Sequence, residues 1–295
     1  INTILALAVV FSLASCKKHV IEYIAEPTTD AMAEVQLYNC LPTLQGSGHN
    51  KQTALDMNRV LMDDVKWLAT PNYNLAHYNG VPFGGTTRYF TMEPGTHTLK
   101  IWHKDADYAA GKDPDIFTNF TVAAGKSVVY IHSKTEAPNV LDAQPGVAFG
   151  ARKTNKDSVV FCNFVHMWYE EIGGSIVPSP RRLQYQQAFR PYGSAIASLA
   201  WENFGEPVAF GEQTGFQKIF ITNLGRGWQG GPSSSATSTV VTSGYCYSYY
   251  RIIDADTQEI LQNYDYWTQY IGRYYFHVCS GYGPGGVMIA NFTLV

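Results

Sequence analysis

An all-β chain built as two β-sandwich modules in tandem is what this sequence predicts, and three observations predict it. The chain has 295 residues, among them 20 Tyr, 15 Phe and 6 Trp, and only 15% are charged, against a usual charged share of about 25%. Aromatic and β-branched residues suit a pleated, half-buried surface. Short apolar runs recur at regular spacing, separated by Gly and Pro turns. The second half also repeats the first at a nearly constant separation, the mark of a duplicated module.

The elements follow in chain order. Ile1 to Ser15 is apolar, with no charge before Lys17. Such a run is too short to span a bilayer, which takes about 20 apolar residues, and it has the length of a secretory signal that ends in small residues. A positive n-region and an initiator Met are missing, so a few residues are expected before Ile1. Leu13-Ala14-Ser15-Cys16 resembles the bacterial lipobox. That resemblance implies that residues 1–15 are a cleaved signal peptide, that Cys16 carries the lipid, and that residues 16–32 are a tether. At roughly 0.8 kcal/mol per buried CH2, two or three acyl chains anchor a protein in effect permanently. Lys17 stands where an aspartate would resemble an inner-membrane retention signal. An outer-membrane address is therefore expected, either periplasmic or surface-exposed.

"EVQLYNCLP" alternates and stops at Pro42, as a strand should. "TALDMNRVLMDDVKWLAT" admits two readings. Met57, Leu61, Val65 and Leu68 fit one helical face, whereas Asn58-Arg59 could turn a hairpin. "TRYFTM", "THTLKIWH", "DIFTNFTV" and "SVVYIHS" then read as four short strands, which suggests a sandwich or barrel over a βαβ unit. These complete a first module at 33–140. A linker is expected over 141–157, within "EAPNVLDAQPGVAFGARKTNKDS", and a second module over 158–295. There "SVVFCNFV" repeats "EVQLYNCL", with Asn163 against Asn39, and Phe210-Gly211 repeats Phe83-Gly84. Two hairpins close the chain, one turning at Asp254 to Thr257 and one in the Gly-rich stretch after Tyr282.

"VQLYN", "VPFGGTTRYFTMEPGTHTLKI" and "FTVAAGKSVVYI" resemble the extracytoplasmic domain-of-unknown-function family 4397. Coverage is good from 33 to 135, and neither Gly hairpin of the pattern is kept from 155 to 295. The resemblance implies immunoglobulin-like antiparallel β-sandwiches, borne on bacterial lipoproteins and often in tandem. That family has no agreed activity, so no catalytic residue follows from it.

A net charge of −3 gives no basic footprint, which argues against nucleic acid. "GRGWQG" at 225–230 has the G-x-G-x-x-G spacing, but "GPSSSATSTVV" follows it in place of the helix that would hold a pyrophosphate. It reads as a loop presenting Trp228, and no cofactor is expected. "DADYAAGKDPD" sets Lys112 among its carboxylates, where it would oppose a calcium ion, so no metal is expected there. His166 and Glu170 would share a face only on a helix, and "VVFCNFV" before them reads as strand. No serine stands in a G-x-S-x-G. No catalytic residue emerges.

Beyond Cys16 there remain Cys40, Cys162, Cys246 and Cys279, with no zinc-type spacing. Two readings stand for Cys246 and Cys279: a bridge, which an exported setting permits, and buried thiols. Most aromatics must fill the core. Trp168 and Tyr169 are adjacent, so on a strand one should face out, and Trp228 and Tyr282 lie in glycine-rich loops. These four are the expected ligand-binding residues. The sum is an outer-membrane lipoprotein acting as a non-catalytic binding, adhesion or assembly subunit, with the membrane and an envelope protein or glycan as partners. The competing class is glycan handling, as a binding accessory or a divergent hydrolase of a polysaccharide-utilisation system.

Overall fold

Strand β1 (Ala33–Asn39) shows how the chain organises itself. Its alternate residues Val35 and Leu37 enter one core, while Tyr38, followed by Cys40 just past the strand, enters another, so both faces are buried along most of its length. The computed structural model describes residues 31–42, 57–66, 89–146, 159–188, 199–220, 245–270, 272–281 and 288–294. Side chains of 159, 219–220, 245–248, 263–270 and 288–294 are outside that description.

The first half adds β2 (Arg59–Met62), β3 (Val65–Lys66), β4 (Phe90–Met92), β5 (Gly95–Trp102), β6 (Ile116–Val122), β7 (Gly125–Ile131) and β8 (Asn139–Asp142). They form two sheets, ordered β4-β1-β7-β8 and β3-β2-β5-β6. Val35, Leu37, Leu99, Ile101, Phe120 and Val129 fill the space between them. The ambiguous "MNRVLMDDVK" resolves as a hairpin that turns at Asp63 and Asp64, not at Asn58-Arg59. Both aspartates are left-handed, with φ 48° and 63°, as a two-residue hairpin turn requires. Their side chains hold the turn: Asp63 Oδ1 accepts the Thr98 N–H at 2.8 Å, and Lys100 Nζ lies 2.5 Å from Asp64 Oδ1. "DADYA", read as plain loop, carries one short helix, α1 (Asp105–Ala109).

The second half adds β9 (Val159–Ile172), β10 (Ser175–Pro178), β11 (Leu183–Ala188), β12 (Glu202–Asn203), β13 (Gln217–Phe220), β14 (Tyr245–Asp254), β15 (Ile260–Tyr270), β16 (Tyr274–Gly281) and β17 (Met288–Leu294). β9 is 14 residues long and pairs β13 near its start and β10 near its end. One sheet therefore reads β13-β9-β16-β17, with β10 extending it, and the other reads β12-β11-β14-β15. These orders match the first half strand for strand. Each half also contains one parallel pair, β1 with β7 and β9 with β16, where wholly antiparallel sheets were expected. Of the described strands, only β10 has no counterpart in the first half.

The two parallel pairs pack on each other. Tyr38, Cys40 and Tyr130 of the first half meet Val165, Met167 and Phe276 of the second in one buried cluster. The result is four sheets in layers, and in the inner two the parallel pairs β1–β7 and β9–β16 are mostly buried on both faces. That double burial is why "VVFCNFVHMWY" runs apolar without alternation. A polar tie crosses the same junction: Gln213 Nε2 donates to the Asp142 carbonyl at 2.9 Å, and Asn163 Nδ2 holds that side chain by donating to Gln213 Oε1 at 2.9 Å. β8 thus runs into the span expected to be linker, with Leu141 and Asp142 paired in a sheet and Ala143 buried. Residues 147–158 lie outside the described ones.

Candidate functional site

The expected binding residues do not come together. Cys16, Trp228 and Tyr282 lie outside the described residues. Trp168 and Tyr169 are only 6% and 5% exposed, which corrects the expectation that one of them faces solvent. Trp168 enters the second-half core, and Tyr169 points to the opposite side, toward the first half. Adjacent strand residues face opposite ways, but here both sides are covered. Cys279 is a free, buried thiol, so the bridge to Cys246 is not formed. The two residues also sit in different sheets, on β16 and β14. Burial pushes the Cys279 thiol well above the ordinary range, as it does those of Cys40 and Cys162.

The residues of "HMWYEE" serve the fold. His166 accepts the Trp168 N–H at Nδ1 and donates from Nε2 to the Arg181 carbonyl, and burial pushes it down to about 3. Glu170 pairs with Arg181 Nε at 2.9 Å, and the same guanidinium reaches Asp254 at 3.0 Å and Glu259 at 2.6 Å. Arg181 therefore ties β9 to the β14–β15 turn.

A cleft of about 380 Å³ opens at the junction of the halves, lined by Leu41, Pro42, His132, Lys134, Glu136, Tyr169 and the β10 residues Ile176 to Pro178. Strand ends build it. β1 stops where Asn39 Oδ1 turns back to accept the Leu41 N–H, and Pro42 follows. β7 gives out at Ile131, which exposes the next residues to the same space. From the other side comes the β9–β10 hairpin, closed by Gly173 and Gly174 at φ 61° and 80°. Its Ile176 is 42% exposed. Pro178 offers no N–H on this edge strand, which blunts strand addition there.

Two rings, His132 and Tyr169, line the cleft, and a third, Phe210, packs against both. Tyr169 donates its hydroxyl proton to the His132 carbonyl at 2.8 Å, and the same oxygen lies 3.0 Å from His132 Nδ1. His132 Nε2 faces the Ala137 carbonyl at 3.2 Å and must carry a proton to do so. Phe210 presents its edge or face to both rings, with centroids 5.4 and 5.2 Å away. Burial pushes His132 below the ordinary imidazole value, against the pull of Glu136 and the Ala137 carbonyl, and it pushes the Tyr169 hydroxyl up. At the rim, Glu136 Oε2 lies 3.8 Å from His132 Nδ1, and Lys134 has no ion-pair partner among the described residues.

This arrangement suits binding. Leu41, Pro42, Ile176, Val177 and Pro178 give apolar walls, and a few polar groups cross them, as in most small binding sites. Both nitrogens of His132 are engaged with protein groups, so the imidazole is not placed as a base. Ser133 Oγ accepts the N–H groups of Thr135 and Glu136 and caps a turn. Among the described residues no group of His, Cys, Asp and Glu could hold a metal. Compared with known protein families and with curated proteins, the chain matches none.

Sequence reasoning missed this cleft, yet a signal existed. "GGSIVP" at 173–178 holds the one described strand that has no counterpart in the other half.

Proposed function

We propose that this protein is a lipid-tethered binding or assembly subunit of the cell envelope, with Cys16 the lipid attachment and the junction cleft its recognition site. The reading rests on one observation: the cleft sits at the end of the stack remote from where the tether enters. β1 begins at Ala33, right after the tether, and runs parallel with β7 toward Leu41 and Pro42 at the cleft. Seven residues of strand at about 3.3 Å each put roughly 23 Å between the two. A lipid at Cys16 would then hold the N-terminal end toward the membrane and present the cleft away from it.

The location of β10 adds support, because duplicated modules share their scaffold and differ where function is added. A packed β stack with an open, largely apolar cleft is the form of a binding module, and among the described residues lining the cleft none pairs a nucleophile with a base. The test is a pull-down from native membranes with the lipidated protein, run beside a glycan array. Retention of a specific envelope protein is the expected outcome. Glycan binding with no protein partner would transfer the chain to glycan handling.

A further inference from the structure

We propose that Arg251 is the centre of a second binding site, on the outer sheet of the second half, which takes the carboxylate of an acidic ligand. No residue of this site lines the junction cleft, so the inference goes beyond the role proposed above and its test does not depend on it.

The strands set the site. Tyr250 and Ile252 enter the second-half core, so alternation along β14 turns Arg251 to the other face of the sheet. Asn203 of β12, Gln186 of β11 and Arg251 stand side by side across three paired strands. Gln186 Nε2 donates to Asn203 Oδ1 at 2.7 Å, and Gln186 Oε1 accepts the Arg251 Nε–H at 2.6 Å. Trp201, just ahead of β12, packs on Ala188, Leu199 and Tyr249. Arg251 Cζ lies over its ring, 4.6 Å from the centroid. The guanidinium is thus fixed at Nε and held against an aromatic face.

Its other edge is open. A guanidinium carries five N–H donors, and among the described residues only the Arg251 Nε–H has an acceptor. The charge is uncompensated too. Arg59, Arg181 and Arg182 each pair with carboxylates, whereas Arg251 meets a neutral amide and a ring. Burial works against its charge, and no neighbouring charge among the described residues bears on it. A half-buried guanidinium of this kind gains most from an anion that brings two oxygens to the open Nη1–Nη2 edge. One positive charge matches a carboxylate, whereas a phosphate brings about two negative charges and would leave one unmatched. The site therefore takes a carboxylate, from an acidic sugar or a simple organic acid.

The test is an NMR titration of the full chain at neutral pH and constant ionic strength. It follows the side-chain N–H signals of Arg251 Nε and Trp201 Nε1. Acetate and glucuronate should each shift both signals saturably, with midpoints in the millimolar range, while chloride and glucose should not. Inorganic phosphate should bind more weakly than acetate. Arg251→Lys keeps the charge but loses the fork, and it should abolish saturation at the Trp201 indole. Asn203→Ala, at an exposed position, frees Gln186 and should weaken acetate binding several-fold. Failure of both acids to saturate the unaltered chain overturns the site. So does glucose matching glucuronate, phosphate binding more tightly than acetate, or Arg251→Lys binding acetate as well as the parent. The titrations of the unaltered chain decide the matter even where a variant fails to fold.

Discussion

Gly211 and Asn139 approach so closely that a β-carbon on the glycine would lie 2.4 Å from Asn139 Nδ2. Asn139 opens β8 in the first half, and Gly211 follows Phe210 in the second, so this contact belongs to the junction. Gly211 also has φ 84°, a conformation that costs other residues about 1–2 kcal/mol. Gly211→Ala is therefore expected to destabilise by about 2–3 kcal/mol, strain plus displacement. Gly146→Ala is the control, with φ 60° and nothing within 4 Å of the added carbon. It should cost only the strain. Urea midpoints measure both, and equal losses would count against close packing at the junction.

Acid should weaken the fold through buried neutral histidines. Burial pushes His277 to about 3, and His166 also to about 3. A folded value below the unfolded one of about 6.5 stabilises the neutral form. That stabilisation is complete above pH 6.5 and is lost as the pH falls toward 3. By pH 4 the loss is about 3 kcal/mol for each ring. His277→Asn should flatten the dependence of unfolding free energy on pH by up to about 1.4 kcal/mol per pH unit between 6 and 4. An unchanged slope would show that His277 takes up its proton without cost.

Much of the strand framework was legible in the sequence, since each alternating run with a Gly or Pro stop became a strand. Side-chain direction was not. Asn39 and Asn163 look equivalent, yet Asn39 alternates with the core residues Val35 and Leu37, whereas Asn163 bonds Gln213 on the junction side. A match that is off by one residue exchanges the faces of a strand. Trp168 and Tyr169 misled for a related reason: alternation predicts one outward ring only if one face of the sheet is wet. Four stacked layers cover both faces of the middle of β9, where these two residues lie. Parallel pairing was invisible as well, because β1 and β7 lie far apart in the chain and carry no local signal for each other. The cleft arises from strand ends of both halves, so no contiguous motif encodes it.

The β2–β3 turn sets strain against charge pairing. Asp64 sits at φ 63° and pairs with Lys100, but its side chain is 74% exposed. Exposed pairs contribute about 0–1 kcal/mol, while glycine removes about 1 kcal/mol of left-handed strain. Asp64→Gly should therefore be neutral to mildly stabilising. Asp63→Ala should destabilise by about 1–2 kcal/mol, because Asp63 also accepts the Thr98 N–H and bonds His97 Nδ1. Thermal melts of the two variants decide it, and the opposite ranking would contradict this view of the turn.

The tether carries its own prediction. Cys16→Ala should release the protein from membranes and leave the fold unchanged by circular dichroism. A variant that still sediments with membranes after a carbonate wash would show that some other part of the chain holds it there.

The most direct measurement compares two exposed apolar positions in the lipidated protein, Ile176 beside the cleft and Phe117 on the outer sheet of the first half. Ile176→Asp and Phe117→Asp should both fold, since the side chains are 42% and 65% exposed. In pull-downs from native membranes, Ile176→Asp is expected to lose the bound partner at least tenfold, while Phe117→Asp retains it. Full retention by Ile176→Asp, or loss only with Phe117→Asp, would contradict recognition at the junction cleft.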